Sequence, residues 1–170
     1  MKISKRVLLP MLAVALAGGA ALLWQGMANK ERAPQFSYVL LDGSRHDSSQ
    51  WAGQVTLVNF WATSCTTCVH EMPQIVATHE KFKSRGFNTV AVAMSYDPPA
   101  YVANFASSRQ LPFGVAIDNT GEIARQFGRV QLTPTTVLVN KRGEIVKRYV
   151  GEPDFAALHQ LLEQLLQEKA

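Results

Sequence analysis

Val58-Asn59-Phe60-Trp61-Ala62-Thr63-Ser64-Cys65-Thr66-Thr67-Cys68-Val69-His70-Glu71-Met72-Pro73 is the stretch on which the fold turns. Its first part belongs to Val55–Trp61, a run of β-branched and aromatic residues that reads as a buried strand. Its second part opens a helical pattern. Val69, Met72, Ile75, Val76, His79 and Phe82 recur at helical spacing as far as Arg85, where Gly86 is placed to stop the helix; Pro73 inside the pattern is expected to kink it. The two cysteines therefore sit at a strand-to-helix junction. Unpaired N–H groups and the helix dipole favour negative charge there, and a thiol attacks only as its thiolate. Cys65, at the helix entrance, is the expected nucleophile. Cys68, in the first turn and further in, is the expected resolving thiol.

Working outward, Phe36 to Leu41 alternates and runs into Asp42-Gly43, a short strand and a turn. Phe87 to Met94 is a second buried strand, Tyr101 to Ser108 a helix behind Pro98-Pro99, Val115 to Ile117 a short strand, and Gly121 to Phe127 a short helix. Thr135 to Asn140 and Glu144 to Val150 alternate on either side of Lys141-Arg142-Gly143, a hairpin signal. Asp154 is placed to cap a last helix whose apolar face is Leu158, Leu161, Leu162, Leu165 and Leu166. Strands alternating with helices, then a hairpin and a terminal helix, describe an α/β domain with a mixed central sheet flanked by helices.

The chain has 170 residues, of which 47% are hydrophobic, enough for one sizeable core. Its formal net charge is +4, and Lys2, Lys5 and Arg6 account for three of those charges. No basic stripe interleaved with aromatics remains, so nucleic acid is not an expected partner. Behind those cations, Val7 to Trp24 is free of charge over 18 residues, a secretory signal or a hydrophobic anchor helix. Its length favours a retained anchor, while Gly26-Met27-Ala28 leaves cleavage open. The expected organisation is a signal or anchor over 1–28, a linker over 29–34 and one domain over 35–170. Positive residues stay in the cytoplasm, which puts the domain on the periplasmic side of an inner membrane, where disulfides form and exchange. A disulfide between cysteines three apart closes a loop too short to staple a fold, so redox chemistry is the better reading of the pair.

The quoted segment resembles the active site of the TlpA/ResA branch of the thioredoxin superfamily, through the Phe60-Trp61-Ala62 lead-in, the cysteine pair, Glu71-Met72-Pro73, and Thr133-Pro134-Thr135 some 65 residues on. The resemblance covers about residues 34 to 168. It implies a thioredoxin fold with one or more extra N-terminal strands and an inserted strand-helix segment. It also implies a thiol:disulfide oxidoreductase with no cofactor and no metal, acting on protein disulfides, re-reduced by a membrane redox partner, and used as a reductase in cytochrome c maturation or related work. Catalytic residues by this resemblance are Cys65, Cys68 and Glu71; Trp61, Thr133 and Pro134 are its substrate-binding residues, with Pro134 in cis facing the disulfide. The edge at Thr133 is then free to pair with an extended client chain. Glu71, three residues after Cys68, shares a helix face with it. It is either a partly buried carboxylate that opposes ionisation of Cys68 and passes protons, or a solvated first-turn glutamate held by the helix dipole.

The segment also departs from the family pattern. Ser64 stands where a tryptophan is common, Thr66-Thr67 where a proline is usual, and Asn59 where cytosolic thioredoxins carry a buried acid. The first two bear on potential and substrate fit, so the direction of electron flow stays open. Two other classes compete. A copper-delivery or non-catalytic thiol-binding module would use Cys65 and Cys68 as ligands. A zinc site is opposed by His46, His70, His79 and His159, which show no ligand spacing, and a copper site by His70, which falls on the helix at a position more often solvated than ligating. A thiol peroxidase would carry a threonine three residues before the cysteine, where this chain has Ala62.

Overall fold

A computed structural model describes residues 31–169; the expected anchor over 1–28 lies outside them. Among the described residues no helix is long and apolar enough to cross a membrane. The strands are β1 (Ser37–Val39), β2 (Arg45–Asp47), β3 (Val55–Trp61), β4 (Phe87–Ala93), β5 (Gly114–Ile117), β6 (Thr135–Val139) and β7 (Ile145–Val150). The α-helices are α1 (Thr66–Phe82), α2 (Pro99–Ser108), α3 (Glu122–Gln126) and α4 (Phe155–Gln167).

Five strands form one mixed sheet in the order β5-β4-β3-β6-β7, with β1 and β2 pairing apart from it. β3 and β4 run parallel, Val55 opposite Phe87 and Trp61 opposite Ala93. β3 and β6 run antiparallel, with Phe60 opposite Thr135 and Asn59 opposite Thr136. Every residue of β3 is buried, because both faces of this central strand are covered. Leu57, Asn59 and Trp61 point to one face; Val58 and Phe60 point to the other.

The first face meets α1, α2 and α4 through Met72, Ile75, Phe82, Val102, Leu158, Leu162 and Leu165. The second is sealed by α3 and the N-terminal hairpin, with Tyr38, Trp51, Ile123 and Phe127 over Val58, Phe60, Val92 and Val137. A 3-10 turn, Ser48–Trp51, supplies that tryptophan; Asp47 and Gln50 close a capping box on it, and Trp51 Nε1 donates to Tyr38 Oη at 3.1 Å. The helix expected to run to Arg85 ends at Phe82 and tightens into a 3-10 turn before Gly86, at φ +88°. Asp154 caps α4 by accepting from Ala156 N and Ala157 N. The stretch expected as a linker is partly docked: Arg32 bridges to Glu144, and Ala33 N donates to Gly143 O at 2.9 Å.

Candidate active site

β3 delivers Trp61-Ala62-Thr63-Ser64 to the start of α1, and Cys65 is the N-cap of that helix with extended backbone. Its Sγ accepts from Cys68 N at 3.2 Å, taking up one of the unpaired donors that favour a thiolate. Cys65 and Cys68 are joined in a disulfide, their Cα atoms 5.2 Å apart. Cys65 is half-buried and Cys68 fully buried, the asymmetry that separates an attacking from a resolving thiol.

The Thr133-Pro134 peptide is cis. Since Phe60 lies opposite Thr135, one further step along the two strands sets Pro134 across from Trp61, at the sheet end that carries the cysteines. Thr135 Oγ1 donates to Leu132 O at 2.7 Å, and Gly151 N donates to Pro134 O at 2.8 Å, tying the bend to β7. Among the described residues the backbone N–H and C=O of Thr133 have no partner, so the edge beside the proline is free for an extended chain.

Glu71 is fully buried, which rules out the solvated first-turn reading. Asn59, pointing from β3 to α1, donates through Nδ2 to Glu71 Oε1 at 2.9 Å and to Thr136 Oγ1 at 3.0 Å. Glu71 Oε2 and Asn59 Oδ1 have no hydrogen-bond partner. Burial pushes the Glu71 carboxyl up to about 7; the amide of Asn59 pulls it down, and the charge of Glu152 adds to the rise. A proton carrier that changes state near neutrality thus lies on the buried face of α1, one turn from Cys68.

Trp61, expected to contact substrate, is fully buried and packs on Phe105 with ring centroids 5.1 Å apart. The period-two alternation of β3 turns it into the core, so it supports the site from behind. Two residues escaped the sequence reading. Asp97, buried, holds Thr63 through both oxygens, accepting from Thr63 N and from Thr63 Oγ1 at 2.6 Å each. Its neighbour Tyr96 places its hydroxyl 3.1 Å from Thr133 Oγ1. An acid ahead of Pro98-Pro99 at the carboxyl end of a parallel strand was the available signal, since open α/β sheets build their sites at those ends. His70 is exposed and 3.2 Å from Glu152. Among the described residues no group of three His, Cys, Asp or Glu side chains is placed to hold a metal.

Known proteins resemble this chain along most of its length. The redoxin family profile matches residues 28–162. The thiol-disulfide oxidoreductase ResA of Bacillus cereus is 31% identical over 169 residues, spanning 94% of this chain and 96% of that protein. ResA of Bacillus thuringiensis subsp. konkukian is 32% identical, spanning 84% of this chain and 86% of that protein. Among solved structures, a thioredoxin from Neisseria meningitidis superposes with a TM-score of 0.77 at 40% identity, covering 83% of this chain and 93% of that one. A thiol:disulfide interchange protein from Chlorobium tepidum gives 0.75 at 28%, covering 82% and 98%. With its cysteine pair at the head of α1 and relatives of this kind along most of its length, the chain belongs to the redoxin family and is a thiol-disulfide oxidoreductase of the ResA type.

Proposed function

We propose that this oxidoreductase works as a reductase of the cell envelope, tethered to the inner membrane through residues 7–24 with its domain in the periplasm. Its clients are disulfides in cysteine-bearing polypeptides such as those handled in cytochrome c maturation. The observation that carries the reading is the contrast between half-buried Cys65 and sealed Cys68, with a protonatable Glu71 on the same buried helix face.

In the reduced protein, the Cys65 thiolate attacks one sulfur of a client disulfide. A mixed disulfide forms, and the other client sulfur leaves as a thiolate that takes its proton from water. Cys68 gives its proton to the Glu71 carboxylate and attacks Cys65 Sγ, and the second client sulfur leaves. Two electrons have passed from the dithiol to the client, and the protein is left as the Cys65–Cys68 disulfide. A membrane dithiol protein restores it by the reverse exchange. Pro134 and the free edge of Thr133 orient the client chain across Cys65.

Trapping tests this. Full-length Cys68→Ala, expressed in cells that make the protein, should accumulate mixed disulfides through Cys65 that a reductant releases, and Cys65→Ala should accumulate none; an empty Cys68→Ala trap overturns the exchange role. The Cys65/Cys68 potential tests direction: a reductase should lie below about −200 mV, and a value near about −120 mV would mark an oxidant.

A further inference from the structure

The loop after β4 puts two neighbouring side chains on the two halves of the active site. Asp97 latches the cysteine side through its paired bonds to Thr63, two residues before Cys65. Tyr96 reaches the proline side through Thr133. The loop is itself held: Met94 N donates to Trp61 O and Asp97 N to Met94 O, both at 2.9 Å, and Pro98-Pro99 follow directly. Tyr96 thus sits in a held loop and is tied by its hydroxyl to Thr133, yet it is exposed. The residue is 57% exposed, and Leu132, next to Thr133, is 66% exposed. An exposed aromatic side chain held by its polar tip offers apolar contact area at little entropic cost.

We infer that Tyr96 is a specificity-determining residue, which together with Leu132 selects client chains carrying apolar side chains beside the attacked cysteine. The occupant is an extended polypeptide disulfide: a chain that pairs with the Thr133 edge passes the hydroxyl contact of Tyr96, and alternate side chains of a strand fall on one side of it. Asp97 acts through Thr63 and the loop, as a positioning residue. The inference rests on the exchange reading above, and its test separates the two.

Two peptides are prepared, each with one cysteine linked by a disulfide to glutathione, identical except that the two residues on either side of the cysteine are leucine in one and serine in the other. The reduced full-length chain is mixed with each in single turnover; it ends as the Cys65–Cys68 disulfide and releases peptide thiol and glutathione. Every rate is normalised to that variant's own rate on bis(2-hydroxyethyl) disulfide. The wild type should favour the leucine peptide by about threefold or more. Tyr96→Ala should lower that preference by about threefold or more, the loss lying in the concentration dependence, and Tyr96→Phe should keep more than half of it because the ring carries the contact. A wild-type preference below that, an alanine variant that retains it, or a phenylalanine variant that loses it overturns the role of Tyr96. Failure of the wild type to reduce the small disulfide overturns the exchange reading instead.

Discussion

The two faces of the central sheet are both covered, for different ends. Under α3 and the N-terminal hairpin the packing is apolar and aromatic: Phe60 meets Phe127 at 5.4 Å, and Phe127 meets Phe36 at 5.7 Å. Under α1 the same strand presents Asn59 to Glu71, leaving two oxygens without partners in a closed interior. Unpaired buried polar atoms cost roughly 1–3 kcal/mol each. Thr56 Oγ1 on the Phe60 side is also without a partner, but under α1 the unpaired atoms belong to a hydrogen-bonded pair that includes a titratable carboxyl, so the cost there is tied to a group that changes charge. Strain of this kind is tolerated where protons and electrons must move.

The comparison can be broken from the stable side first. Phe60→Ala empties a fully buried site in the apolar face and should cost about 3–5 kcal/mol in urea unfolding of the oxidised chain, while exchange by the molecules that remain folded persists. A loss below about 1 kcal/mol would show that this face does not carry the fold. On the other side of β3 the signature should lie in pH. Glu71 has its carboxyl raised from 4.5 to about 7, so between those values the folded chain holds a proton that the unfolded chain has lost. Its contribution is present in full below pH 4.5 and falls away as pH rises through about 7, a decline of about 3 kcal/mol. Glu71→Gln should flatten that decline in unfolding curves taken from pH 4 to 8, and should remove the dependence near pH 7 from the resolving step. A decline of equal size in the glutamine variant would assign it to another group.

Much of this division was legible in the sequence, and the part that was not has a common cause. β3, α1, the β6–β7 hairpin and α4 declare themselves through periodicity, because each buries a repeating face, and the cysteine pair follows from where β3 hands over to α1. β2 is Arg45-His46-Asp47, three polar residues with no strand pattern. Its place depends on pairing with β1 and on the Trp51 that follows it, although the spacing of Asp47 and Gln50 would have marked the capping box. Glu71 stood open between two readings, since the helix fixes which face it shares with Cys68 but not what lies opposite. Asn59 decides that, 12 residues away, and only once β3 and α1 are docked. Tyr96 and Asp97 gain their partners across 37 and 34 residues, where no local pattern reaches. Trp61 shows the converse: the family resemblance implied a substrate contact, and the alternation of its own strand sends it inward.

The sharpest refinement comes from the far end of α1, where a second titratable side chain is buried with the opposite sign. His79 is buried against Phe113, ring centroids 5.4 Å apart, with Nδ1 3.1 Å from Thr89 Oγ1. Burial lowers its pKa; Glu80 works against the shift and Lys83 with it. The folded chain therefore keeps His79 neutral at pH values where the unfolded chain, with an ordinary imidazole near about 6.5, takes up a proton. Its contribution is present above that value and is lost as pH falls below it, so over the mildly acid range it tilts stability upward with pH while Glu71 tilts it downward. His79→Phe keeps an aromatic ring between Phe87 and Phe113 and removes the titration, leaving Thr89 Oγ1 without its partner. Unfolding free energies at pH 5 and pH 7.5 should then shift toward greater stability on the acid side than in the wild type, because Glu71 is opposed only by His159, the other histidine whose pKa burial lowers. Combining His79→Phe with Glu71→Gln should remove the acid-side advantage and leave the opposite tilt of His159, whose pKa burial and the Lys81 charge lower; a His79→Phe profile that matches the wild type would mean that the histidine is solvated in the folded chain and that α1 buries one titratable group instead of two.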